Sequence, residues 1–404
     1  MNLEIRPIQS EEFETFFKAG ESAFGETNIK HLEDERAILD FERTLAAFDG
    51  EDIVSTAAAF DFDLTVPGNQ LPTAGVTWVG VRPTHRRQGV LTRMMERQLN
   101  DIHERSQPVA ALWASESLIY GRFGYGLGAL GAELKIERGY TNLRHSVSFS
   151  GRCRLVSREE AISSWPEVYR RRAAEQPGMY SRTDVWWKHH SLRHEDPDKA
   201  KDAAFYVQYE EDGEPLGYAR YTTRAGWHDN FPDGKLNVWE LVSLTDGAYS
   251  ALWSYILGVD LMSSYHAERC RLDEPLFWML EEPRRLVIRP YDALWVRLVD
   301  VPAALEARTY ASEGSIVLDI DDPFCPWNDG RYQLDAGPDG ARCKPTTSAP
   351  DLTLTAADLA AVYLGGPRVR ALAQAGRVEG DAASVQRADR LFAWDVTPWC
   401  PEVF

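Results

Sequence analysis

Between residues 11 and 39 the apolar positions Phe13, Phe16, Phe17, Ala23 and Phe24 fall at helical spacing, and Gly20 and Gly25 interrupt them. Two helices with a break are predicted. The pattern then changes to alternation over residues 44–48 and 53–66. Between these runs stands Asp49-Gly50-Glu51-Asp52, which is turn chemistry, so a hairpin is predicted. A further apolar run covers residues 71–81 and stops before Pro83. Beyond it, Val90, Leu91, Met94, Met95, Leu99 and Ile102 mark the buried stripe of an amphipathic helix. Residues 108–113 read as a short buried strand and 118–123 as a second helical segment.

Much the same order returns later. Residues 205–209 and 216–223 flank a turn at Glu211-Asp212-Gly213-Glu214, a strand follows over 236–244, and a helix over 249–259. A second copy of the first unit is expected. It differs where a helix begins, because Thr245-Asp246-Gly247 stands in place of a longer basic loop. After residue 299 the character changes again, with a helix over 303–308, strands over 315–320 and 331–336, and helices from Thr355 and Ala383. The fold class is α+β, in units of residues 1–145, 146–298 and 299–404. The last stretch, with Pro398, Trp399 and Pro401, is stiff and aromatic, which favours a docked tail.

Composition narrows the function. The chain has 404 residues, 44% of them hydrophobic and 26% charged, enough to bury several cores. The formal charge of -18 disfavours nucleic acid and anionic membranes as partners and suits a cationic one. No apolar run is long enough to span a bilayer, and residues 1–7 alternate as a strand does, so a cytoplasmic protein is expected. Cys153, Cys270, Cys325, Cys343 and Cys400 are odd in number and far apart, which reads as reduced thiols. His189-His190 has no acidic or Cys partner at metal-ligand spacing, and no metal is assigned.

The strongest chemical signal is the segment from Val79, Gly80 and Val81 through Arg82-Pro83-Thr84-His85 to Arg86, Arg87, Gln88, Gly89, Val90 and Leu91. It places a basic, glycine-containing loop between a strand and a helix. The first amides of a helix lack partners inside it and sit at the positive end of its dipole, so a phosphate satisfies both. Gly89 allows close approach of the backbone, and Arg86 and Arg87 supply charge-assisted donors. His85 helps shape the anion site.

These residues resemble the GNAT superfamily of acetyltransferases, whose cofactor loop runs Gln/Arg-x-x-Gly-x-Gly/Ala. Arg86 and Gly89 match, and Leu91 at the last position resembles the enhanced intracellular survival (Eis) aminoglycoside acetyltransferases, which carry Leu there. The likeness extends to Leu64-Thr65-Val66-Pro67-Gly68, Pro72-Thr73-Ala74-Gly75, Ala114-Ser115-Glu116 and Ile119-Tyr120-Gly121-Arg122-Phe123-Gly124-Tyr125-Gly126. Val301-Pro302-Ala303-Ala304-Leu305-Glu306-Ala307-Arg308 and Tyr363-Leu364-Gly365 carry it into the third unit.

The resemblance implies two GNAT folds, the second degenerate, followed by a sterol-carrier-protein-like domain, in a homo-oligomer, usually a hexamer. It implies acetyl-CoA as donor, held by Val79, Gly80, Val81, Arg86, Arg87, Gln88, Gly89, Val90 and Ser115. It also implies Tyr120 as general acid, with Tyr125 as the competing candidate, and the terminal carboxylate of Phe404 as general base. Glu26, Trp78, Trp187 and Glu402 are similar to, or adjoin, substrate-lining positions of the family. The expected acceptor is a small polycationic amine, an aminoglycoside acetylated at several positions. Protein lysine or a polyamine is the alternative acceptor, and a non-enzymatic carrier of apolar ligands is the alternative function.

Overall fold

The alternation around Asp49-Gly50-Glu51-Asp52 becomes a tight antiparallel hairpin in the computed structural model, which describes residues 3–25, 31–144, 148–193 and 202–404. Strands Thr44–Asp49 and Asp52–Val66 close on the pair Asp49 and Asp52, and Gly50 takes φ 64° in the turn between them. The second strand turns at Gly68 into Asn69–Val81. Helix Phe13–Ala23 lays Phe13, Phe16 and Phe17 against this pair, and helix Val90–Glu104 does so with Val90, Met94, Met95, Leu99 and Ile102. Leu91 is half-buried at the edge of that stripe.

Two compact units result. The first holds Met1–Ala129, Leu294–Pro398 and Val403–Phe404; the second holds Leu130–Ala293 and Trp399–Glu402. In the first, the sheet runs in the order Glu4–Arg6, Thr44–Asp49, Asp52–Val66, Asn69–Val81 and Val109–Trp113, and ends on residues 294–298 of the strand Val287–Leu298. Only the contact between Asn69–Val81 and Val109–Trp113 is parallel.

The second unit repeats this order with Arg152–Val156, Ala203–Glu211, Glu214–Arg224, Gly234–Ser243 and Met262–Cys270, and ends on residues 132–137 of Gly126–Glu137. Its single parallel contact again joins the fourth and fifth strands. Each sheet therefore closes on a strand that, in sequence, follows the other module. The units are discontinuous for that reason.

A smaller sheet, in the order Gly340–Pro345, Gly330–Gly337, Gly314–Asp321, Leu352–Thr355 and Val378–Gly380, lies in the first unit with helices Val301–Ala307, Ala356–Val362, Val369–Gln374 and Ala382–Phe392. It is fastened there by Asn69 Nδ2 donating to the Ala307 carbonyl at 2.9 Å, by Phe123 against Phe324, and by the buried pair Arg297 and Asp322, with donor distances of 2.6 and 2.8 Å. The five cysteines are free thiols. Among the described residues no helix is long and apolar enough to cross a membrane.

Candidate active site

Strands Asn69–Val81 and Val109–Trp113 touch only from Thr73 opposite Val109 to Gly75 opposite Ala111. Beyond that point the first keeps its partner Asp52–Val66 as far as Val81, and the second keeps residues 294–298, so a wedge opens between them. A register shift between Thr56 and Ala58 puts a bulge at residues 78–79, where Trp78 takes φ 51°. The Trp78 carbonyl is held by Thr56 Oγ1 at 2.8 Å and the Gly80 carbonyl by Ser55 Oγ at 2.8 Å, so this arm of the wedge is fixed from behind. Gly80 is required by packing, because a Cβ there would lie 2.8 Å from that of Ala23. Val79 and Val81 are half-buried against the cluster containing Val90 and Met94.

From this arm the chain passes through the turn Pro83–His85 to the helix Val90–Glu104. His85 bonds Thr84 Oγ1 through Nδ1 and Asp49 through Nε2, which pins the loop to the hairpin, and Gln88 donates to the Thr84 carbonyl at 3.1 Å. Arg86 is not a free cation: its Nε donates to the Val81 carbonyl at 3.1 Å and its terminal nitrogen to the Ala23 carbonyl at 2.8 Å. Arg87 is exposed, takes φ 61°, and makes no hydrogen bond or ion pair among the described residues. Gly89 caps the helix at φ 78° with open space where a Cβ would stand, and no acidic residue occupies the first turn. The helix of the second unit starts differently. Thr245 caps it by accepting from the Ala248 amide at 3.1 Å, and Asp246 sits in the first turn. Among the described residues, one helix start thus carries no side-chain cap and no acid in its first turn, while the other is capped and acidic.

Tyr120 ends the short helix Ser117–Tyr120 and is 5% exposed, in one cluster with Ala74, Val76, Leu112 and Tyr125. Burial first, and the charge of Glu116 second, push its phenol up to about 12. Tyr125 lies edge-on to it at 5.8 Å, is wholly buried, and has a hydroxyl without a partner among the described residues. Burial raises the Tyr125 phenol as well. Ser115 is exposed just beyond the other arm, two residues after Trp113.

Phe404 lies edge-on to Phe62 at 5.1 Å, and its ring would stand 3.3 Å from a Cβ on Gly75, the last residue before the strands part. Side chains alternate along a strand. The Tyr120 cluster takes the face of Ala74 and Val76, and Phe404 takes the face of Gly75, so the two candidate groups border the wedge from opposite faces. Phe62 and Gly75 were not singled out by the sequence as site residues; Gly75 entered only as part of a motif.

The residues expected to line the substrate stand in both units, and each is described within its own. Trp78 is half-buried among Phe13, Phe16 and Phe17, with ring centroids 5.0 to 6.3 Å away. Trp187 belongs to the second unit, 1% exposed in a core with Trp165, Tyr169 and Tyr218. Glu402 also belongs to the second unit, where its carboxylate accepts from Tyr180, Trp186 and Ser191 and pairs with Arg182. Burial opposes its charge, but Arg182, His190 and these bonds outweigh that and hold it at about 2. Glu26 lies outside the described residues.

Comparison with known proteins bears on this arrangement. Residues 4–128 and residues 178–298 each match a profile described as an acetyltransferase (GNAT) domain, and residues 301–401 match a sterol carrier protein domain. An uncharacterised N-acetyltransferase of Streptomyces avermitilis is 37% identical over the whole of both chains. The N-acetyltransferase Eis of Mycobacterium tuberculosis is 36% identical over 86% of this chain and 85% of its own. The crystal structure of Eis1 from Mycobacterium abscessus superposes with a TM-score of 0.86 at 31% identity, covering 99% of this chain and 100% of that one. With two GNAT domains, a sterol-carrier-protein-like domain and relatives of this closeness, the chain belongs to the Eis-like N-acetyltransferases of the GNAT superfamily.

Proposed function

We propose that this N-acetyltransferase moves an acetyl group from acetyl-CoA directly to amines of small polycationic molecules, aminoglycosides at several positions, with Tyr120 as general acid and the α-carboxylate of Phe404 as general base. We assign its three modules in sequence to residues 1–145, 146–298 and 299–404, with the last strand of each of the first two crossing to the sheet of the other. The wedge between Asn69–Val81 and Val109–Trp113, with an anion-ready helix start beside it, is the observation that carries the reading.

The chain's residues suit acetyl-CoA. The diphosphate is met by the amides near Gly89 and Val90 and by Arg87, while Arg86 and Gln88 hold the loop in shape. Backbone amides along Val79, Gly80 and Val81 line the arm and face the developing oxyanion, and Ser115 lies on the opposite arm. The cofactor supplies a thioester whose carbonyl the amine attacks. Phe404 removes a proton from the ammonium on one face, so that the carbon–nitrogen bond can form. On the other face, Tyr120 gives its proton to sulfur as the carbon–sulfur bond breaks. A free α-carboxyl titrates at about 3.3 to 3.7 and is a weak base in water, so the role requires burial that raises its basicity or a water that relays the proton. The Phe404 ring packs against Phe62 beside Gly75, which holds this end of the chain at the wedge.

The test is calorimetric titration with acetyl-CoA, followed by initial rates on an aminoglycoside, spermidine and a lysine peptide. Saturable binding is expected, with kcat/KM at least tenfold higher on the aminoglycoside. Absence of binding heat would leave the apolar-carrier reading, and a preferred lysine peptide would move the acceptor to protein.

A further inference from the structure

The second unit has its own wedge. Strands Gly234–Ser243 and Met262–Cys270 run parallel as far as Val238 opposite Ala267 and then part, the first following Glu214–Arg224 and the second residues 132–137. A register shift between Val238 and Glu240 bulges Trp239, matching the bulge at residues 78–79 of the first unit. Only about 60 Å3 remains open there, between Glu240, Leu241 and Ser243 on one arm and Glu268 to Arg271 on the other. A water needs roughly 10 to 15 Å3 of such space, so the cavity suits a few waters and is too small for a thioester arm.

What fills the wedge is the chain itself. Trp399 and Pro401 form part of its wall. Trp399 Nε1 donates to the carbonyl of Arg269 at 2.5 Å, and the Trp399 amide to that of Pro177 at 2.8 Å. Gly178, at φ 93°, passes so close that a Cβ on it would lie 2.8 Å from the Trp399 carbonyl oxygen. Glu402 pairs with Arg182 at 2.9 Å, and Arg182 in turn makes two bonds to Glu240, at 2.5 and 3.1 Å, on the bulged arm. The Arg182 guanidinium lies 3.8 Å above the Tyr169 ring. The segment is therefore tied to one arm through a main-chain carbonyl and to the other through a buried arginine.

We propose that the second module, where the first opens a cofactor wedge, forms a peptide socket whose ligand is the chain's own segment Trp399–Glu402, with Trp399 and Glu402 as positioning residues for the end of the chain. The consequence for turnover rests on the reading of Phe404 as base, and the socket itself does not. Two residues follow Glu402, so fixing Glu402 confines the terminal carboxylate to the reach of two residues, about 7 Å.

Digestion of the full-length protein with carboxypeptidase A, followed by mass spectrometry for loss of Phe404 and Val403, tests the socket without reference to activity. The parent chain is expected to resist. Glu402→Gln is expected to be trimmed at least tenfold faster, since Arg182 keeps Glu240 but loses its hold on the tail. Gly178→Ala, which pushes on the Trp399 carbonyl, and Trp399→Phe, which removes one donor, should loosen it to a lesser degree; circular dichroism checks that each is folded. Any one of the three that folds gives the answer. Trimming at the parent rate in every folded variant overturns the socket. Faster trimming together with parent-rate acetylation by a chain lacking Phe404 leaves the socket standing and removes the base role instead.

Discussion

At neutral pH the Tyr120 phenol holds its proton, because burial and the nearby Glu116 carboxylate both oppose the phenolate. The raised value has a definite sign: the acid form persists until pH climbs through about 12, so no alkaline loss below pH 10 comes from this group. The expected profile of kcat against pH shows no fall near 10 that disappears in Tyr120→Phe, and such a fall would mean a phenol titrating as if in water. Tyr120→Phe should lower kcat about 10²- to 10⁴-fold while acetyl-CoA affinity stays within twofold, since the donor to the leaving sulfur is lost and the contacts proposed for the diphosphate at Gly89 and Arg87 remain. Loss of affinity instead would make Tyr120 a packing residue. The sequence alone could not separate Arg86 from Arg87, adjacent and chemically alike. One is consumed by the Val81 and Ala23 carbonyls and the other points free, and that division depends on a helix sixty residues away in the chain.

Among the elements, those with local causes were legible. The hairpin at Asp49 to Asp52 and the helix Val90–Glu104 declare themselves through turn residues and period. The strand Val287–Leu298 does not, because its partner Val109–Trp113 lies almost two hundred residues earlier and nothing in its own pattern names it. What holds its end is Arg297, whose guanidinium is buried beneath Gly124 and bonds Asp322, which also accepts from the Cys325 amide and Asn328. Removing the carboxylate leaves a buried guanidinium without the carboxylate that pairs with it. Asp322→Ala should therefore destabilise the protein by about 3 to 5 kcal/mol, read as a lower midpoint in urea, and the double replacement Arg297→Met with Asp322→Leu should cost less than the single one. Equal loss in both would mean the site depends on shape and not on charge.

At the scale of the molecule, the repeat of one module explains both what the sequence revealed and what it hid. The second copy was recognisable by its order of elements, and its missing basic loop by Thr245-Asp246-Gly247. Its hold on the tail was not legible, since nothing in the sequence around Glu402 names Arg182, more than two hundred residues earlier, as its partner. The chain's last atom carries the remaining argument. If the terminal carboxylate of Phe404 is the base, its position matters and its neighbourhood does not suffice. Adding Gly-Ser after Phe404 turns that carboxylate into a neutral peptide group and moves the charge by up to about 7 Å, without touching Trp399, Glu402 or the loop at Gly89. The extended chain should bind acetyl-CoA within twofold of the parent and be no easier to unfold, yet its kcat should fall at least tenfold, as should that of a chain ending at Val403. Steady-state rates on one aminoglycoside measure both. Parent-like turnover in either would place the base on another group and leave the aromatic contact of Phe404 with Phe62 as packing alone.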